Sequence, residues 1–378
     1  MSSGNPTVFR TLNERAALTL LLEHGGLTRA ELELHTGLSK ASAAEVLRRL
    51  ENSGLARKAG LKPGNAGPAA QMWQLDGSAA RVAGVDLTTS SIEVSVADLT
   101  GRVLGTHRTE ATGDARRLLA ETVRAAGFEL DELDQVVVGV PGVVEADGRR
   151  LRQAVQLAGW SGLDDLPGNV RLENDVNLVA IRELQEHDDS SFVLFWVGGG
   201  VGAGVVLDGA LWRGVTGRGG EVGSVIVPDP VTTGRRYGQD GGPLGALLGA
   251  EPLAALAQAH GLPGDPTLTA VSRTLAEAPQ GFLDDAAARV ALGVTAAIGV
   301  LDPGLVVLAG PLCVAGGEPL RARVADRLAS TPLVPVTVAL SAVCGNAVLG
   351  GALSYALDLT RERVFQAGTA GRTGESNP

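Results

Sequence analysis

The chain has 378 residues, enough for two or three domains, and its 44% hydrophobic and 20% charged residues exclude a disordered or collagen-like protein despite 52 glycines. No apolar run approaches the ~20 residues that span a bilayer, and Glu14 and Glu23 stand where a signal peptide would be uncharged, so no membrane association and a cytoplasmic location are expected. The net charge of −10 is uneven: residues 1–80 carry nine Lys+Arg against seven Asp+Glu, and Lys40, Lys58 and Lys62 are the only lysines in the chain. Such clustering arises by chance or marks a nucleic-acid face. Two cysteines, Cys313 and Cys344, are too few for a disulfide framework or a thiolate metal site and are expected to be buried thiols.

In chain order, Leu12, Ala16, Ala17, Leu20 and Leu21 form the apolar stripe of a first helix over 12–22, stopped by Gly25 and Gly26. Thr28 with Glu31 three residues on is a capping box, which predicts a second helix to about Thr36 before Gly37. Ser39 is a good N-cap for a third helix, in which Ala43, Val46, Leu47 and Leu50 face inward and Lys40, Ser42, Glu45, Arg48 and Arg49 lie opposite. Leu55 to Lys58 and Gln71 to Leu75 can pair as a hairpin around a Gly/Pro-rich tip, Gly60 to Pro68. The pattern is that of a winged helix-turn-helix, whose second helix of the pair enters the major groove. The alternative is three-helix packing without DNA. Candidate DNA-contacting residues are Arg29, Ser39, Lys40, Ser42, Glu45, Arg48, Arg49 and Lys62, with Lys62 near a phosphate or the minor groove and Glu45 able to accept from cytosine. Five or six cations imply weak monomer binding, so a dimer on a two-half-site operator is expected.

From Arg81 the pattern turns to strands: VAGVDL, IEVSVADL and GRVLGTHR, a helix over 114–126, then QVVVGV. The same β-β-β-α-β order recurs with FVLFWV, AGVVLDG and ALWRG, later helices, and LVVLA at 305–309. Two like lobes offer a cleft where a ligand can sit.

The runs ENDVNLVAIRE (173–183), VGGGVGAGVVLDGALWRG (197–214) and GRGGEVGS (217–224) resemble the signature of the ROK family of sugar kinases and sugar-responsive repressors, and with the amino-terminal pattern the likeness spans roughly residues 10–360. The resemblance implies an α/β fold: a winged helix-turn-helix at 1–78, then a duplicated actin-like, ribonuclease-H-type sugar-kinase fold with lobes at 79–185 and 186–345. A helix at about 346–360 would return to the first lobe; residues 366–378, which lack apolar periodicity, are read from the sequence itself as a disordered tail. It also implies a sugar site formed by Gln156, Asn174, Asp175 and Glu221, and a homodimer or tetramer. Asp175 corresponds to the general base of the family's kinases and is here expected to be vestigial. From sequence alone, Asn174 or Asp175 serves equally well as the cap of a helix beginning near Asn177.

Departures from the family pattern shape the remaining expectations. Kinases of this fold resemble D-x-G-x-T at the first hairpin, where this chain has Asp86-Leu87-Thr88-Thr89-Ser90; Thr88 replaces the glycine that lets backbone amides approach phosphates, so neither ATP nor catalysis is expected. The loop Gly198 to Gly202 is kept, as a phosphate loop or a plain tight hairpin. Ser224, Arg236, Gly238 and Pro243 stand where the family's zinc ligands would be, so no metal is expected, and Gly245 replaces a second sugar-binding glutamate. Gln156 occupies the position of the usual asparagine. The expected function is a sugar-responsive transcriptional repressor; the alternatives are a sugar kinase that phosphorylates a hexose, and a ligand-independent DNA-binding protein with a degenerate cleft.

Overall fold

The computed structural model describes residues 6–62, 69–153, 157–228, 241–277, 279–330 and 335–367. The chain divides into two compact units, Met1–Val138 with Gly159–Arg171 and Ala352–Pro378, and Gly139–Ala158 with Leu172–Gly351.

The first unit opens with α1 (Pro6–His24), β1 (Leu27–Thr28), α2 (Arg29–Thr36), α3 (Lys40–Asn52), β2 (Ala56–Lys62) and β3 (Ala70–Leu75), the strands ordered β1-β3-β2. The first helix starts six residues earlier than its apolar stripe predicts, at a proline, whose missing N–H costs nothing at a helix start. The capping box forms as read: Thr28 Oγ1 accepts from Glu31 N and Glu31 Oε2 from Thr28 N. Gly37 ends α2 in the left-handed region (φ 70°), and Ser39 Oγ accepts from Ser42 N to start α3. The inward stripe of α3, Ala43, Val46, Leu47 and Leu50, is buried with Ala17, Leu18, Leu21 and Leu32. That core is shared with residues beyond this head: Ala80, Leu99 and Phe365 are buried in the same cluster. The predicted hairpin forms, with β2 running on to Lys62; its tip, residues 63–68, lies outside the described residues.

Next come β4 (Arg81–Leu87), β5 (Ile92–Asp98), β6 (Val103–Thr109), α4 (Ala115–Ala125) and β7 (Gln135–Val140), the expected order. A short antiparallel pair, β8 (Val143–Val144) and β9 (Leu151–Gln153), which belongs to the second unit, precedes β10 (Val170–Asn174), and the five-stranded sheet is ordered β10-β7-β4-β5-β6.

The second unit contains α5 (Asp175–Glu183), β11 (Phe192–Val197), β12 (Val201–Leu207), β13 (Ala210–Leu211), β14 (Ile226–Pro228), β15 (Gly241–Pro243), α6 (Ala250–Ala259), α7 (Leu268–Glu277), α8 (Gln280–Leu301), β16 (Leu305–Ala309), α9 (Pro311–Ala329) and β17 (Thr337–Leu340). Its main sheet is ordered β13-β12-β11-β16-β17, antiparallel between β11 and β12 and parallel from β11 to β17. Strand alternation divides β11 between two cores. Phe195 and Val197 pack with α6 to α9, while Phe192, Leu194 and Trp196 pack with Val176, Val179 and Ala180 of α5. Helix α5 lies unusually close to β12, because Gly204 has no side chain: a Cβ there would sit 2.5 Å from the Ala180 Cβ. The glycines after the tight hairpin therefore seat a helix as well as shape a loop.

Helix α10 (Ala347–Ala367) closes the chain and is longer than the apolar pattern predicts. It extends two residues into the stretch read as a tail, and 368–378 lie outside the described residues. The expectation of two buried thiols fails in part. Cys313 is buried, and burial pushes its thiol up to about 12, but Cys344 is exposed, because it follows the last strand in a loop ahead of α10.

Candidate functional site

The second unit contains a recess of about 330 Å³, at the small end of the range for ligand pockets. Asn174, Asp175 and Glu221 all line it, together with Gly198 to Gly202. Gln156 lies outside the described residues.

The first turn of α5, which lines the recess, is braced by Glu173, a residue of the END run to which the sequence reading gave no role. Its side chain is 4% exposed and accepts three bonds, from Asn174 N (3.0 Å), Asn177 Nδ2 (2.9 Å) and Arg213 Nε (2.7 Å). A buried carboxylate so fully paired fixes the first turn of α5 against the segment after β13. Its spacing of four from Asn177, one helical turn, is the only signal the sequence carries; Arg213 is 40 residues away.

Asn174 is the N-cap of α5. Its Oδ1 accepts from Asn177 N (3.0 Å) and its Nδ2 donates to Gly142 O (3.1 Å), so the helix starts two residues before the expected Asn177. Both ends of the amide are thus engaged in building the wall. Asp175 is the first residue of α5; its Oδ1 accepts from Val176 N (2.9 Å), and the helix N-terminus favours its negative charge. Glu221 follows a loop pinned by backbone contacts: Ala203 N donates to Gly220 O at 2.8 Å. Although the Glu221 side chain reaches solvent, burial pushes its carboxyl above the ordinary range, with Arg218 pulling it back down. The recess therefore presents two carboxylates and peptide groups, hydrogen-bonding chemistry suited to hydroxyls, and no cation is among its described lining residues.

In the first unit, Thr88 explains itself locally. Its Oγ1 accepts from Ser91 N (3.0 Å) and Ser90 N (3.3 Å) and lies 2.8 Å from Ser91 Oγ, while Trp160 Nε1 donates to its carbonyl. The amides that a glycine would leave for a phosphate are consumed inside the turn. Ser224 ends a 3₁₀ turn, and Gly245 lies against Gly223, where a Cβ would be 3.3 Å from its carbonyl oxygen. Arg236 and Gly238 lie outside the described residues.

The outer face of α3 is a network of charges rather than a row of separate cations. Arg48 holds Glu45 through two bonds (2.9 and 2.7 Å), and that pairing holds the Glu45 carboxyl below its usual range. Arg49 reaches inward: its Nε donates to Glu14 of α1 at 2.6 Å, and Glu14 is 3% exposed. Arg29 pairs with Glu33 within α2. Lys62 pairs with Glu31 at 2.5 Å, tying β2 to α2 and holding the Glu31 carboxyl down at about 2. Ser39 and Ser42 bond to each other at the start of α3, and Lys40 beside them is exposed. The sequence placed the α3 side chains by helical period and capping and Lys62 by the hairpin tip, none of which sees acids on other elements.

The ROK family profile matches residues 82–358. The chain is 23% identical over 245 residues to the xylose repressor of Caldicellulosiruptor bescii, covering 59% of this chain and 61% of that protein. It is 24% identical over 243 residues to the DNA-binding transcriptional dual regulator NagC of Escherichia coli, covering 59% of each. The chain thus spans about three fifths of the length of the curated relatives it matches. Among solved structures, a ROK family transcriptional regulator, a homologue of the E. coli MLC protein, superposes over 96% of this chain and 100% of that one with a TM-score of 0.70 at 18% identity. A ROK hexokinase from Thermus thermophilus superposes over 74% and 99% with a TM-score of 0.56 at 24% identity. These structural likenesses speak for the fold. With the family profile spanning most of its length, this chain belongs to the ROK family.

Proposed function

We propose that this chain is a sugar-responsive, DNA-binding transcriptional regulator, a repressor of carbohydrate genes. The observation that carries the reading is the capped pair α2 and α3 with its antiparallel hairpin, a winged helix-turn-helix arrangement, joined in one chain to a ROK domain. Residues 1–78 form the reading head, with Lys40, Ser42 and Arg48 on the outer face of α3; the lobes are 79–185 and 186–345. Similarity to proteins named as a xylose repressor and as NagC supports the same reading. Lys40 is the exposed cation of α3 for which no acidic partner is seen among the described residues, so one head binds weakly and a homodimer or tetramer engages two half-sites. A sugar in the recess, bonded by Asp175 and Glu221, shifts DNA affinity; coupling of about 1–3 kcal/mol gives a workable response.

Fluorescence anisotropy with DNA from the gene's own upstream region, alone and with a panel of free sugars, tests this. Tight binding that one sugar alters is the expected result. DNA binding that no sugar changes would favour a ligand-independent scaffold, and failure to bind DNA would sink the reading.

A kinase is the second reading, favoured by the carboxylate of Asp175 at the recess wall and opposed by the closed turn at Thr88. Sugar-dependent ADP formation in a coupled assay decides it.

The raised pKa of Glu221 sets a pH dependence. An ionised carboxylate accepts sugar hydroxyls best, so sugar affinity should fall as pH falls through this raised pKa, beginning at a higher pH than an ordinary glutamate would allow. Titration calorimetry between pH 7 and pH 5 checks this, and Glu221→Gln should abolish that part of the slope.

A further inference from the structure

The recess has an apolar end that polyol binding does not use. Trp196 and Gly202 are directly opposed in the β11–β12 ladder, and opposed residues share a face. A Cβ on Gly202 would lie 3.2 Å from Val176, beside Asp175, so the indole of Trp196 projects over the same side of the sheet, toward the first turn of α5. The missing side chain at Gly202 leaves the ring room. Its other edge is set by Gly198: a Cβ there would be 2.9 Å from Trp196 Nε1 and 3.4 Å from the Pro311 ring, so indole and pyrrolidine both border the space that this glycine leaves open. Leu268, at the start of α7, adds a third apolar group and is 37% exposed. Three apolar side chains from three elements thus line the same recess as Asp175 and Glu221. Elsewhere in this unit the large apolar side chains of β11 are fully buried, whereas Trp196 is only half-buried.

A free pentose or hexose has apolar C–H faces but a rim of hydroxyls, and burying that rim against carbon leaves hydroxyls without partners at a cost. An aromatic ring offers large apolar area at small entropic cost, best matched by a flat or acyl group. We infer that the effector is a carbohydrate bearing one apolar substituent, an acyl or aryl group, with Trp196 as the specificity-determining residue. The inference rests on the proposed effector role of this recess. Asp175 and Glu221 take the hydroxyls; Trp196, Pro311 and Leu268 take the substituent. The same wall disfavours the polyanionic end of a nucleotide.

The test is calorimetric titration of the full chain with glucose and xylose, their phenyl β-glycosides, N-acetylglucosamine, and the non-hydrolysable nucleotide AMP-PNP. At least one substituted sugar is expected to bind about tenfold or more tightly than its parent, equivalent to about 1.4 kcal/mol. Trp196→Ala should collapse that ratio to within about twofold, Trp196→Phe should keep most of it, and the ligand-induced shift of indole emission should vanish in Trp196→Phe. Leu268→Asn, at an exposed helix start, provides a second variant if Trp196→Ala does not fold, and should lower the same ratio. Parents binding as well as their substituted forms would overturn the inference while leaving the effector reading intact. Tight AMP-PNP binding lost in Trp196→Ala would overturn it in favour of a nucleotide wall. Absence of binding by every sugar would overturn both.

Discussion

Arg49→Ala should loosen the amino-terminal head before it reveals anything about DNA. The substitution removes the group bonded to Glu14 at 2.6 Å and leaves a carboxylate with 3% exposure facing the helix core. Breaking a buried pair from one side costs about 3–5 kcal/mol, because the surviving charge has lost both water and partner. The partial exposure of Arg49 lets some water reach the site, so the low end of that range is expected. Adding Glu14→Leu should restore most of the loss, since an apolar side chain of similar size belongs among Ala17, Leu18 and Leu47. Lys40→Ala, on the exposed first turn of α3, should leave stability within about 0.5 kcal/mol and reduce DNA affinity instead. Thermal unfolding by circular dichroism and anisotropy on the same samples separate the two. A wild-type melting temperature for Arg49→Ala with weakened DNA binding would return Arg49 to the interface.

Gly220→Ala should cost still more per atom added. Its φ of 93° lies in the left-handed region, and a Cβ would sit 1.9 Å from the Ala203 carbonyl oxygen, far inside any van der Waals contact. The positive φ costs about 1–3 kcal/mol and the forced backbone displacement about as much again. Because Ala203 N also bonds to Gly220 O, the strand cannot yield without losing that bond. The loop must move instead, and Glu221 moves with it. Gly209→Ala is the matched control: its φ is 76°, but nothing lies within 4 Å of its Cβ, so it should show the backbone cost alone. A melting temperature for Gly220→Ala equal to that of Gly209→Ala would show that the close approach is easily relieved. Sugar affinity should fall in Gly220→Ala and hold in Gly209→Ala.

What was readable in advance divides by the range of the interaction. The Thr28–Glu31 box, the Ser39 cap, the inward stripe of α3 and the repeated strand order are all set by neighbours within a few residues or by simple period, and each is found as read. Arg49–Glu14 spans 35 positions and Glu173–Arg213 spans 40, and neither leaves a local trace. The same limit explains Arg48 and Glu45: spacing places both on the outer face, but not that each occupies the other. Cys344 was misjudged because composition says how cysteines behave on average, not that this one follows a strand end. Asn174 and Asp175 were left between capping and ligand binding; the geometry makes the Asn174 amide the cap of α5, and both residues line the recess. Trp196 stands in the predicted strand FVLFWV, one residue ahead of a recognised motif run, and only the opposed glycine in the ladder shows where its ring goes.

The core beneath the head bears on how this protein can be cut or recombined. Phe365, from the last turns of α10, and Leu99, from the β5–β6 turn, are buried with the helices of the head, and Arg361 donates two bonds to the Leu99 carbonyl. The first 78 residues are therefore not a detachable cassette. Grafted onto another protein, they would present a greasy underside where Phe365 and Leu99 had been. A chain shortened by a nonsense codon just ahead of Phe365 would uncover the core of the head, and with it harm the proposed DNA binding, from nearly 300 residues downstream. Exchanging specificities between relatives would then require carrying the final helix along with the first three.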